Sequence, residues 1–242
     1  MALQQYARKT QEPSSLSSPL QDTDVIVGII KSAHLNTKHS DMTIMCQGKT
    51  FPAHKLVVCP RSKYFDRACD GRFKEAGGLI HLDDKDPILI EKVLEFLYKG
   101  MYTIPPRLAQ GKIPPADSVA GRSACYFKAR LYAEADYFMI DDLKRNILES
   151  FRESFLGGYN GSFQVPASLV VDGDTFAETI EEIYSTRADY KELRKVVMEN
   201  VKGNLYFLRR GSSPMISSKL MKSNPDFTYD LCEVTLTKLL RD

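Results

Sequence analysis

The side chains able to do covalent or metal chemistry are few and scattered. Histidines stand at His34, His39, His54 and His81, and cysteines at Cys46, Cys59, Cys69, Cys125 and Cys232. No two cysteines form a C-x-x-C. No histidine pairs with a cysteine or carboxylate at the spacing of a tetrahedral zinc site, so neither metal nor other cofactor is expected. The cysteines read as small, reduced residues of a reducing compartment. Adjacent carboxylates occur at Asp83-Asp84, Asp141-Asp142 and Glu181-Glu182. For Asp141 and Asp142, the preference of negative charge for a helix N-terminus is explanation enough. The sequence has no G-x-S-x-G, no phosphate-cradling glycine loop, no H-E-x-x-H and no dinucleotide fingerprint, and the chain is not expected to be an enzyme.

What remains is the chemistry of binding. "DGRFKEAGG", residues 70–78, is polar and glycine-bounded, yet Phe73 stands in it two residues before Glu75, with Lys74 between. An aromatic held out from a loop can fill a partner's pocket and carry ~2 kcal/mol or more of binding energy. Glu75 would then steer from the rim. The same residues equally fit a loop in which Phe73 folds back onto a sheet and Glu75 is solvated. Asp41 and Lys55 also admit two readings: an ion pair at an interface, or a carboxylate capping a strand entry beside a solvated lysine. His54, in an apolar neighbourhood, is expected to be a hydrogen-bonded structural residue.

These residues depend on the elements around them. Residues 1–22 are rich in Ser and Pro without apolar periodicity and read as a disordered tail. A helix is expected at 24–34, with Ile26, Ile29, Ile30 and Ala33 on one stripe at i, i+3, i+4, i+7. "SDMTIMCQGKTFPAHK" reads as two strands about a turn at Gly48. "LVVCP" is an apolar run stopped by Pro60, "RSKYFDRACD" a short helix capped by Ser62, and "LIHLDD" a third strand. "DPILIEKVLEFLYKG" carries a full set of helix signals: Asp86 as N-cap, Pro87 at the first position, a stripe of Ile90, Val93, Leu94 and Leu97, and Gly100 as the stop. Residues 105–123, with four prolines, form a breaker-rich insertion. Helices follow at 124–140 and 141–155, and "GGYNGS" breaks the second. A further helical segment covers 160–242. It has a capping box at Thr175–Glu178 and a helix in "DYKELRKVVMENV", with a weakly patterned stretch at 203–230 and a last helix or strand at 226–241.

At 242 residues the chain can bury a substantial core, and 43% hydrophobic with 26% charged residues is ordinary for a globular protein. A formal net charge of +2, with both signs interspersed, favours neither a nucleic-acid groove nor a membrane face. "MALQQYARKT" lacks the apolar core of a signal peptide, and no run reaches the ~20 apolar residues of a membrane span. The expected location is intracellular, in cytoplasm, nucleus or both.

Residues 40–104 resemble a BTB/POZ domain. The resemblance is carried by Ser40-Asp41, Phe51-Pro52-Ala53-His54-Lys55, Ser62 with Tyr64-Phe65, Phe73-Lys74-Glu75, and Leu94-Glu95-Phe96-Leu97-Tyr98, in order and at matching spacing. "RLYAEADYFMIDDLKRNI" looks like the helix pair that closes that fold, extending the likeness over 24–155. The remainder, with "IYSTRADYKELR", is similar to the helical extension of many fungal members, as is the Pro-rich insertion. The resemblance implies an α+β fold, a small mixed sheet flanked by helices, with a C-terminal helical extension. It implies a protein-interaction module that homodimerises, with Ile26, Ile29, Ile30 and Ala33 on the helix at the two-fold and Asp41 and Lys55 near the interface and groove. "TQEPSSLSSPL" is a poor strand, so a helix-mediated dimer is expected rather than a strand-swapped one. In the family's ligase adaptors a hydrophobic-x-Glu motif contacts a cullin, and Phe73-Lys74-Glu75 occupies that position. The alternative is a non-ligase scaffold or transcription-related protein whose groove near Asp41 and Lys55 takes a peptide.

Overall fold

The chain pairs its first two strands through the tightest hairpin available. β1 (Met42–Cys46) and β2 (Lys49–Ala53) run antiparallel, from Met42 opposite Ala53 to Cys46 opposite Lys49. Gln47 (φ 47°) and Gly48 (φ 77°) between them are both left-handed, as the twist-matched two-residue turn requires. Met42, Ile44 and Cys46 alternate into the core. β3 (Leu79–His81) adds to the free side of β1 in parallel, giving a mixed sheet in the order β2-β1-β3. Gly78 makes this approach possible. It has φ +85°, a Cβ there would stand 2.7 Å from the Asp41 carbonyl oxygen, and its own carbonyl accepts the Thr43 N–H at 2.6 Å. The computed structural model describes residues 19–70, 77–105, 118–156, 173–210 and 214–240.

Between β2 and β3 the "LVVCP" run is helical. α2 (Lys55–Val58) passes through a 3-10 turn (Cys59–Arg61) into α3 (Lys63–Cys69). Two neighbouring side chains fix this segment. The buried Ser62 hydroxyl accepts the Phe65 N–H, capping α3, and donates to the Phe138 carbonyl at 2.7 Å. Phe65 and Phe138 stack with centroids 5.1 Å apart. The Arg61 guanidinium donates to the carbonyls of Phe96 (3.0 Å) and Leu97 (2.5 Å) and pairs with Asp142 at 2.7 Å.

α4 (Pro87–Lys99) begins and ends as its sequence dictates. Asp86 Oδ1 accepts the Ile88 N–H at 2.8 Å, while Oδ2 accepts the Val119 N–H at 2.8 Å and so ties down the chain returning from the insertion. Gly100 stops the helix in the left-handed conformation, its N–H on the Phe96 carbonyl. Glu95 on this helix is buried and fully engaged. It takes Lys92 (2.9 Å), Lys99 (3.3 Å), and both the N–H and hydroxyl of Thr103 (3.1 Å each). Burial alone would raise its carboxyl. The Lys92 ammonium and the Thr103 N–H outweigh that and hold it down at about 2.

α5 (Ala124–Tyr137), capped by Ser123, is buried around almost its whole circumference, packing on α4, on α6 (Asp141–Leu156) and on α7 (Gly173–Ile183). Leu143, Ile147 and Phe151 of α6 face the core as their spacing predicts. The core continues into the extension through Phe155 against Phe176 (5.8 Å) and Tyr132 against Tyr190 (6.1 Å). Buried Glu182 gathers the Tyr190 hydroxyl (2.6 Å), Arg187 (3.0 Å) and Arg130 (3.9 Å). α8 (Lys191–Arg209), α9 (Ser218–Ser223) and α10 (Pro225–Leu239) complete the described chain. Among the described residues no helix is long and apolar enough to cross a membrane.

Several sequence expectations shift. α1 (Pro19–Ser32) opens before residue 24, so residues 19–22 of the expected tail are helical; residues 1–18 lie outside the described chain. The expected capping box does not open a helix, because α7 already runs from Gly173 and Thr175 lies within it. Glu178 reaches instead to Arg122 (2.9 Å) and the Ser123 N–H (3.2 Å). The weakly patterned stretch holds the end of α8, and the last element is a helix. Most of the 105–123 insertion and the "GGYNGS" break lie outside the described residues.

Two measurements check this architecture. Ser62→Ala removes a cap and the donor to a buried carbonyl, with an expected cost of about 1–3 kcal/mol in urea denaturation; an unchanged midpoint would contradict the dual role. Because the folded Glu95 pKa is depressed from 4.5 to about 2, its contribution is complete above pH 4.5 and disappears as pH falls toward 2. Glu95→Gln should therefore be less stable than wild type at neutral pH, and the difference should shrink between pH 4.5 and 2.

Candidate protein-interaction surfaces

α1 is the element the core uses least. Of the stripe expected to act together, Ala33 packs on the core and Ile30 sits at the border at 36% exposure. Ile26 (58%) and Ile29 (63%) face solvent. Val25 and Val27 are exposed beside them, so one helix presents an apolar surface far broader than a single stripe. α2 extends this surface with Leu56, which is 87% exposed although it lies in the apolar "LVVCP" run. A cavity of about 370 Å³ opens between the two helices, floored by Val57, Pro60 and Leu97. The helical turn of α2 explains Leu56: Val58 goes inward, and a residue two positions away on a helix points elsewhere.

Asp41 and Lys55 do come together, through the main chain. The Lys55 N–H donates to Asp41 Oδ1 at 2.7 Å. Lys55 is the first residue of α2, and His54 before it offers that helix no side-chain cap. Asp41 thus supplies the missing acceptor from the far side of the hairpin, where negative charge also suits a helix N-terminus.

His54 is occupied by structure. Its Nε2 lies 2.9 Å from the Lys38 carbonyl, which can only accept, so Nε2 carries the proton and Nδ1 accepts from the Tyr98 hydroxyl at 2.8 Å. That hydroxyl in turn accepts the His54 N–H at 2.7 Å. Burial pushes Tyr98 up to about 12, keeping it the donor this arrangement needs. The His34 ring lies 5.7 Å from Tyr98 where α1 ends, and burial, followed by the nearby Lys99, lowers its pKa toward the neutral form. Among the described residues no group of three or more His, Cys, Asp or Glu could hold a metal.

Phe73, Lys74 and Glu75 lie outside the described residues. The two roots of their loop are fixed: Asp70 closes α3 with its N–H on the Asp66 and Arg67 carbonyls, and Gly78 is locked against Asp41. Sequence reasoning passed over Leu56 and Arg61. Their roles depend on α2 being a helix and on α4 ending and α6 beginning beside it, neither of which local spacing reveals.

Residues 30–117 match the family model of the BTB/POZ domain. Kelch-like protein 41b of Danio rerio is 34% identical over 66 residues, covering 26% of this chain and 11% of that protein. Kelch-like protein 30 of Homo sapiens is 28% identical over 86 residues, covering 35% of this chain and 14% of that protein. The chain therefore spans only a small fraction of these relatives' length. Two solved structures align over 58% of this chain and 99% of their own: the BTB domain of human gigaxonin (16% identity, TM-score 0.38) and that of zebrafish PATZ1 (15% identity, TM-score 0.42). The described part of the matched residues holds the small mixed sheet flanked by helices of the BTB fold, and a long run of C-terminal helices follows it.

Proposed function

We propose that the chain is a self-associating protein-interaction module in which α1 and Leu56 seat the same face of a second copy. The observation that carries this reading is the exposed apolar surface of Val25, Ile26, Ile29 and Leu56 on two adjacent helices. A two-fold contact is self-complementary, so one such face serves both copies. Burying it removes apolar area from water at roughly 25 cal/mol per Å². Asp41 and Lys55 act on this face indirectly, by holding the N-terminus of α2 in place and so presenting Leu56.

The module's finer role is that of an adaptor recruiting a cullin-type ubiquitin ligase through Phe73, Lys74 and Glu75. Support comes from the hydrophobic-x-Glu pattern between α3 and β3 and from its resemblance to the family's adaptors. The Pro-rich insertion and the helical extension favour a member of the fungal type, acting inside the cell.

Light scattering tests self-association. Wild type should have the mass of a dimer, and Ile29→Asp and Leu56→Asp the mass of a monomer with an unchanged far-UV circular dichroism spectrum, since both residues are exposed in the single chain. A wild-type monomer at high concentration overturns the reading. Binding to a cullin N-terminal domain tests the adaptor role separately. Phe73→Ala should weaken it by about tenfold or more and Glu75→Lys by less. Absence of wild-type binding at tens of micromolar would leave the non-ligase scaffold.

A further inference from the structure

α10 is apolar on two sides. Phe227, Leu231 and Val234, at i, i+4, i+7, face inward. Tyr229, Cys232, Leu236 and Leu240, at i, i+3, i+7, i+11, follow a second line left to solvent, with Tyr229 65%, Leu236 59% and Leu240 88% exposed. Alongside that line runs a groove of about 840 Å³, walled across from α10 by Leu205 and Tyr206 of α8 and Met221 of α9. The stripe spans about 16 Å at 1.5 Å per residue, the length of three helical turns.

Among the groove's described lining residues the charged ones are Arg209 and Arg210, and none is acidic. Both arginines are held at the wall. Arg209 Nη1 donates to the Ile216 carbonyl at 2.7 Å, and Arg210 donates to the Tyr206 hydroxyl with its guanidinium 5.1 Å from that ring's centre. A second copy presenting the same groove would set arginine wall against arginine wall, and the acid on the outer line, Glu233, already accepts the Tyr229 hydroxyl at 3.3 Å, so the self-association face on α1 is not repeated here. An amphipathic helix with acidic flanks meets both features at once: apolar side chains along the α10 stripe and carboxylates on the arginine wall.

We propose that the groove between α8, α9 and α10 is the docking site for an acidic amphipathic helix of a partner protein. The groove shares no lining residue with the cavity between α1 and α2, so the chain would hold its partner at one surface while associating through another.

The probe is a phage-displayed library of random peptides about 16 residues long, enough for four helical turns, panned on the full chain. Enriched peptides should carry Leu, Ile or Phe at i, i+3 or i+4, and i+7, flanked by Asp or Glu. Synthetic versions, followed by fluorescence anisotropy, should bind Leu236→Asp and Arg210→Glu about tenfold or more weakly. Both residues are exposed, so the variants should melt with wild type, and either one alone suffices. No enrichment, enrichment of basic peptides, or binding that neither substitution weakens overturns the proposal. A fall in particle mass for Leu236→Asp would place a second copy in the groove and overturn it as well.

Discussion

The placement of α3 rests on the Ser62 hydroxyl, which serves two masters within a dry environment. It accepts from Phe65 and so starts α3, and it donates to the Phe138 carbonyl and so joins α3 to the turn between α5 and α6. A hydroxyl can do both because it has one proton and two lone pairs. Arg61, one residue earlier, works at longer reach. It covers carbonyls at the negative end of α4 while pairing with Asp142 at the positive end of α6, so each helix dipole meets a charge of opposite sign. With these two side chains in place, α2 is aimed outward with Leu56 on it, and the roots of the Phe73 loop are set.

The two exposed apolar surfaces seen among the described residues, on α1 and on α10, are built by different means. On α1 the helix has little else to pack on, and its sequence is apolar around most of its circumference. On α10 the inner line is used up by the core, and a second line is left over. Each surface has a polar device beside it that fixes its shape: the Asp41 cap on α2 in one case, the arginine wall of α8 in the other.

Local signals made much of the fold legible in sequence. The Gly48 hairpin, the Ser62 and Asp86 caps and the Gly100 stop each act within a few residues, and each is present. What spacing could not give was direction. Ile26, Ile29, Ile30 and Ala33 share a stripe, yet only tertiary packing decides that Ala33 goes in and Ile29 stays out. Glu178 matched a capping box by position, and its carboxylate went to Arg122 because that residue was near in space. The outer line of α10 was invisible because two apolar faces on one helix cancel its periodicity.

α5 is buried on the side facing the sheet domain and on the side facing α7 alike. Its Arg130 reaches toward Glu182 of the extension, and its Glu134 pairs with Lys85 just before α4. The helix is therefore shared property, and the boundary of the BTB/POZ match is not the boundary of the buried core. A chain cut after α6 would leave a wet, apolar wound along α5 and a buried arginine without its carboxylate. One buried hydrophobic cluster runs from Met42 in the sheet to Leu231 in the last helix, without a seam where the BTB/POZ match ends.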